Sequence, residues 1–302
     1  MAKTVTSFRG ISAAQITRAY CNTRLFWTAL QVLAVMLSPA FIVLAIVQKL
    51  SWLNGFLWAV TMLALSYLLA ALRRLRLTQF ARVLHYDCDP VKLEKVFSPL
   101  DKTPEKFDDV SLNMVRALFY QGRTDEALER LAKSKPDKKN PYFFQYYNMV
   151  AHCADKTDDL EKLLSIKQKI ELISGEAKPN SGKFRQCGQL LALVDLMILH
   201  KEGKISLCKE ACKDMLRQAS FPLSRINFSL RMAKLERLSG ANHSAAERCA
   251  YVIDDGGTTF FVKEAEELYK LCRGKDYVPE DGRYYAPEED DWEDETSEEE
   301  ND

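Results

Sequence analysis

The stretch "ALFYQGRTDEALERL", residues 117–131, decides how the rest of the chain is read. It reads as the end of one helix, a tight turn at Gly122 and the start of a second helix. Glycine suits such a turn because it takes left-handed backbone without a Cβ penalty. In the second helix the small Ala127 faces inward, where two helices approach closely.

The same layout recurs downstream. Residues 107–134 form the pair that turns at Gly122, residues 140–174 a pair that turns near Asp155, residues 184–219 a pair at Gly203 and residues 224–254 a pair at Gly240. Aligning Thr124-Asp125-Glu126-Ala127 with Thr157-Asp158-Asp159-Leu160 sets an offset of 33 residues between the first two, with later steps of 48 and 37. A last helix over 258–272 caps the stack. One amphipathic pair cannot bury its apolar face alone, so successive pairs are expected to stack into a solenoid.

This arrangement resembles the tetratricopeptide repeat family over residues 103–274. That family places a Gly between its two helices and a small residue five positions later, which Gly122 with Ala127, Gly203 with Cys208 and Gly240 with Ala245 match. The second pair departs, with Asp155 and Leu160, and the spacing is uneven. The resemblance implies a TPR-like α-solenoid whose concave side receives a peptide or helix of a partner protein.

Ahead of the repeats lie two uncharged intervals, between Arg24 and Lys49 and between Lys49 and Arg73, of 24 and 23 residues. About 20 apolar residues suffice to cross the hydrocarbon core, so residues 25–72 are expected to form a transmembrane hairpin in the bilayer. Arg9, Arg18 and Arg24 precede it and Arg73, Arg74, Arg76 and Arg82 follow it, against Lys49 alone in the connecting turn, which puts both termini and the main domain in the cytoplasm. No ionisable residue lies inside either span, so the hairpin reads as an anchor and not as an ion path. Residues 1–24 form an N-terminal cytosolic amphipathic segment. Within it, Ser12 with Gln15 and Ile11 with Ile16 fit a capping box and staple, opening a helix that lies on the membrane face or lengthens the first span. Residues 73–102 form a juxtamembrane helix and linker that break at Asp89-Pro90.

The expected fold is all-α. Across 302 residues there are only 12 Gly and 10 Pro, with Leu, Ala, Lys and Glu abundant. The net charge of zero conceals a polarity: residues 279–302 hold 13 acidic residues and one Arg, leaving 41 basic against 29 acidic elsewhere. Residues 275–302 are therefore expected to be an acidic disordered tail, too poor in apolar side chains to fold. The eight cysteines are scattered through helical segments, as reduced cytosolic thiols are.

Candidate chemistry is thin. Cys208 and Cys212 lie four apart with His200 nearby, but no second Cys or His pair with zinc spacing accompanies them, so no metal is expected. His85, Asp87, Cys88 and Asp89 cluster before Pro90 and read as a helix end and turn. The glycine-containing "DDGGTT" lacks a P-loop Lys or a dinucleotide fingerprint and reads as a loop before a Thr-capped helix. No catalytic residue and no cofactor are expected, and the dispersed basic residues do not form a nucleic-acid stripe. The aromatic run "PYFFQYYNMV" holds more rings than one buried helix face accommodates, which nominates Tyr142, Phe143, Tyr146 and Tyr147 as partner-binding residues. The functional expectation is a membrane-anchored scaffold or adaptor binding a partner protein; a subunit of a membrane secretion, transport or envelope-assembly machine is the alternative. The oligomeric state is unknown from sequence.

Overall fold

The computed structural model describes residues 7–47, 52–102 and 105–278. Among these the chain is all-α, with no strand. Two long helices come first, α1 (Ala13–Val47) and α2 (Trp52–Leu77), followed by the short α3 (Arg82–His85) and α4 (Pro90–Phe97). Helical pairs follow: α5 (Asp109–Tyr120) with α6 (Thr124–Lys133), α7 (Phe143–Lys156) with α8 (Leu160–Gly175), α9 (Gly182–Lys201) with α10 (Ile205–Gln218), and α11 (Pro222–Leu238) with α12 (Asn242–Asp255). A single helix, α13 (Phe260–Arg273), ends the array. The connecting turn near Lys49 and residues 279–302, with Trp292, lie outside the described residues.

All four pairs use one turn. A residue with left-handed backbone follows each first helix: Gly122 at φ 84°, Asp158 at 62°, Gly203 at 70° and Gly240 at 80°. The next residue donates its N–H five positions back, Arg123 to Leu118, Asp159 to Ala154, Lys204 to Leu199 and Ala241 to Glu236, satisfying a carbonyl that the ending helix leaves free. Five residues after each left-handed position sits a fully buried side chain, Ala127, Leu163, Cys208 or Ala245. The second pair therefore turns at Asp158 and packs Leu163, three residues beyond the Asp155 and Leu160 that sequence alignment suggests. Asp, like Asn, tolerates the left-handed region, so this turn carries no glycine to mark it.

The array closes on itself. The Thr258 N–H donates to the Cys88 carbonyl at 3.1 Å, and Phe260 packs edge-on to Phe119 at 5.6 Å, so α13 meets the turn between α3 and α4 and the end of α5. His85, the last residue of α3, and the following Tyr86 pack on Phe221 at the start of α11. The "DDGGTT" segment is thus a seam. Thr259 occupies the N-cap of α13, but its hydroxyl donates to Gly256 O at 2.7 Å instead of capping, and Thr258 Oγ1 donates to Asp89 Oδ1. Gly257, at φ 57°, leaves no room for a side chain, because a Cβ there would lie 2.5 Å from Cys88 O.

The capping box of Ser12 and Gln15 is formed, each backbone N–H donating to the other's side chain at 3.3 Å. The amphipathic segment it opens is the first turns of α1 itself, which runs unbroken through position 24 and through Pro39. These turns do not lie free: Ile16 and Tyr20 are buried, and Tyr20 packs between Phe80 and Phe97 at 5.4 and 5.1 Å. The Tyr20 hydroxyl donates to Asp109 at the start of α5, and Thr17 donates to Val96 O at 2.9 Å. Phe8 N–H and Ser7 Oγ both donate to Asp87. Burying Ile16 and Tyr20 contributes roughly 1.5–3 kcal/mol each. From Leu25 onward the surface changes character, exposing Leu25, Phe26, Leu33 and Met36 on α1 and Phe56, Trp58, Leu63 and Leu68 on α2. Among the described residues one helix is long and apolar enough to cross a membrane, Leu53–His85.

Candidate functional site

The first helices of the pairs and α13 surround an interior cavity of about 250 Å³. Its polar wall comes from the last turns of α7 and α9, the second half of α11 and the first turns of α13; Phe119, Phe260 and Phe261 supply an aromatic side. Ends of helices such as α7 and α9 expose carbonyls and attract cations. Lys201 accordingly donates to the Asp155 carbonyl at 2.7 Å, and it pairs with Asp158 at 2.6 Å.

Two carboxylates organise the wall. Asp155 accepts from Arg231 at 2.6 Å and lies 3.7 Å from Lys201. Glu264 accepts from Lys234 at 2.5 Å and also from Lys156, whose ammonium sits over the Phe260 ring at 4.4 Å. Burial would raise both carboxyls, but the adjacent cations outweigh it and hold them below the usual range. Four lining cations, Lys156, Lys201, Arg231 and Lys234, thus face two lining carboxylates.

Two histidines share the cavity, and both are held neutral. Burial, helped by Arg231, lowers His152 to about 4 and pushes His200 down as well. A further cation, Arg116 on α5, reaches His85 and His152 electrostatically. The groups acting on Arg116 are the Tyr120 and Tyr142 hydroxyls, and among the described residues it has no carboxylate partner. Arg231 Nε and His200 Nδ1 are buried without a hydrogen-bond partner. Burial raises the Cys153 thiol, next to His152 in sequence, to about 12, which keeps it protonated and not nucleophilic. The arrangement gathers cationic side chains around the cavity.

The residues nominated from sequence lie elsewhere. Phe143, Tyr146 and Tyr147 are only 4–6% exposed, and Tyr142 alone of the four is half-buried. Tyr146 stacks edge-on to Phe107 at 5.1 Å and donates to Leu131 O; Tyr147 packs on Phe143 at 4.8 Å and accepts from Lys169. These rings join α7 to α6, α8 and the loop before α5, so a partner would have to displace core to reach three of them. The run exceeds one helix face because it serves two neighbours at once.

Gly122, Gly203 and Gly240 occupy the left-handed turn positions, with Ala127, Cys208 and Ala245 at the inter-helix contacts. Cys208 and Cys212 are buried and donate to the Leu196 and Phe228 carbonyls. In the cluster before Pro90, Asp89 caps α4 by accepting from Lys92 N–H at 2.9 Å.

The cavity residues were missed because nothing local marks them. Their sequence signal is a charge placed within otherwise apolar helices, as at Arg231 in "INFSLRMAKL". Comparison with known proteins finds no matching family, no similar curated protein and no similar solved structure.

Proposed function

We propose that the chain is a two-span membrane anchor carrying a cytosolic, TPR-like helical array that acts as an adaptor for a partner protein, by binding and without catalysis. The observation that supports this reading most is the junction at Tyr20. Above it α1 is keyed into the array, and beyond Leu25 the same helix and α2 expose apolar side chains along their length. Such a surface is stable against lipid or against other apolar helices and costly against water. The cationic flanks, with Arg24, Arg73, Arg74 and Arg76 at the array's end of the hairpin, favour a cytoplasmic array.

Because the array closes and the α7 rings are core, the partner is read onto the outer helices. Leu172 on α8, 72% exposed, and Leu207 on α10 are apolar side chains presented outward. Anchoring raises the local concentration of whatever binds there.

Two measurements test the reading in the full chain. With a cysteine introduced in place of Lys49 or of the exposed Lys133, an impermeant thiol reagent added outside cells is expected to label the first only; the reverse result refutes the orientation. A photo-crosslinking residue at Leu172 or Leu207 is expected to trap a defined protein, whereas one at exposed Lys102, beside the hairpin, is not. Crosslinks confined to Lys102 and to the hairpin instead favour the membrane-machine subunit.

A further inference from the structure

The interior cavity is not explained by an adaptor that binds through its outer helices. Ion-pair networks that serve only structure tend towards neutrality, because each unmatched buried charge costs desolvation energy. Asp155 and Glu264 line this cavity beside four cations; even with Asp158, which pairs with Lys201 from outside it, three carboxylates meet four cations, and Arg116, which acts on His152, has no carboxylate among the described residues. Arg231 is a further sign of incompleteness: its side chain is 10% exposed, one arm holds Asp155, and its buried Nε has no acceptor. His200 Nδ1 is likewise buried and unpaired. Lys156 and Lys234 keep about two-fifths of their surface, 37% and 41%, so the cavity has a route from solvent.

We propose that the cavity is a binding site for a small anion bearing carboxylate or phosphate groups, held by Lys156, Lys201, Lys234 and Arg231. An anion there supplies the missing negative charge, and charge-assisted bonds of this kind are the strong ones. Phe260 and Phe261 offer an apolar wall for the remainder of the ligand. The volume, about 250 Å³, fits a small metabolite. Carboxylates could come from a free ligand or from the chain's own acidic residues 279–302. The latter start one position beyond Val278, next to Tyr277, which donates to Asp254 at the end of α12.

The test is calorimetric titration of the full chain in neutral-lipid nanodiscs with inorganic phosphate and with citrate, at fixed ionic strength. Saturable binding of at least one probe at a single site is expected. Lys234→Met should weaken it by about tenfold, whereas Glu264→Gln, which frees Lys156 and Lys234, should tighten it severalfold. A variant that merely disturbs the fold weakens binding in both cases, so opposite directions carry the proposal and parallel losses overturn it. Lys133→Met, on the outer face of α6, should change nothing. Absence of saturable binding with both probes, in the wild-type chain and in one whose 13 tail carboxylates are changed to amides, also overturns it. Tighter binding after that neutralisation identifies the tail as the occupant in cis; unchanged binding identifies a free ligand.

Discussion

Thr258 Oγ1 donates to Asp89 Oδ1 at 2.9 Å across 169 residues of chain. One carboxylate thereby caps α4 and receives the last pair of the array. In an open solenoid each repeat meets only its neighbours, and stability is close to a sum of local terms. Closure adds a contact between the ends, so damage at the seam should be felt by the whole array.

Gly257 tests this. Ala there must adopt φ 57° and also place a Cβ 2.5 Å from a backbone oxygen that has no way to move aside. The expected cost of Gly257→Ala is at least about 2–3 kcal/mol, read as a lower urea midpoint for the whole array. Gly203→Ala is the control: the backbone is also left-handed, at φ 70°, but nothing lies within 4 Å of the added Cβ, so the cost should stay near 1 kcal/mol. Equal costs at the two sites would mean that the seam carries no stability.

The turn at Asp158 shows how far the pattern could be read from sequence. Three of four turns carry glycine and were legible, as were the helical pairs, because glycine advertises left-handed backbone. Asp158 adopts the same φ without that mark, and the alignment slid to Asp155, which belongs to the ion-pair wall. Closure was illegible for another reason: it depends on how small rotations between pairs accumulate, and no single residue encodes that sum. Asp158→Gly relieves the left-handed backbone but also removes the pair with Lys201, so the net change should stay within about 1 kcal/mol. Asp155→Gly should cost several kcal/mol by leaving Arg231 buried and unpaired. A thermal melt of both variants distinguishes the two positions.

Tyr20 joins the anchor to the array, and its two contributions separate by substitution. Tyr20→Phe keeps the ring between Phe80 and Phe97 and removes only the bond to Asp109, so a loss of about 1–2 kcal/mol is expected. Tyr20→Ala also empties the ring's place and should cost about 3–5 kcal/mol. Hydrogen exchange of α1 residues 13–24 is the informative readout. If α1 is keyed through this ring, Tyr20→Ala opens those amides while α9 and α10 keep their protection; unchanged exchange in 13–24 would refute the keying.

The neutral His152 predicts how acid acts on the array. Its folded pKa of about 4 lies below the ordinary 6.5, because burial and Arg231 disfavour the imidazolium. Between these values the unfolded chain binds the extra proton, so stability is intact above pH 6.5 and falls as pH drops from 6.5 towards 4. The depression is worth about 3 kcal/mol at most. Asp155 and Glu264, whose folded pKa values are held down, contribute stability that is lost only at lower pH, as they protonate. His152→Gln keeps a neutral polar side chain of similar reach and removes the titration. It should reduce, by up to one proton's worth, the dependence of the urea midpoint on pH between 6.5 and 4, leaving the share carried by His85 and His200 and the acid loss below that range in place. A variant as pH-sensitive as wild type across that window would place the titration on other groups, such as His85, which burial beside Arg116 also holds neutral, at about 3.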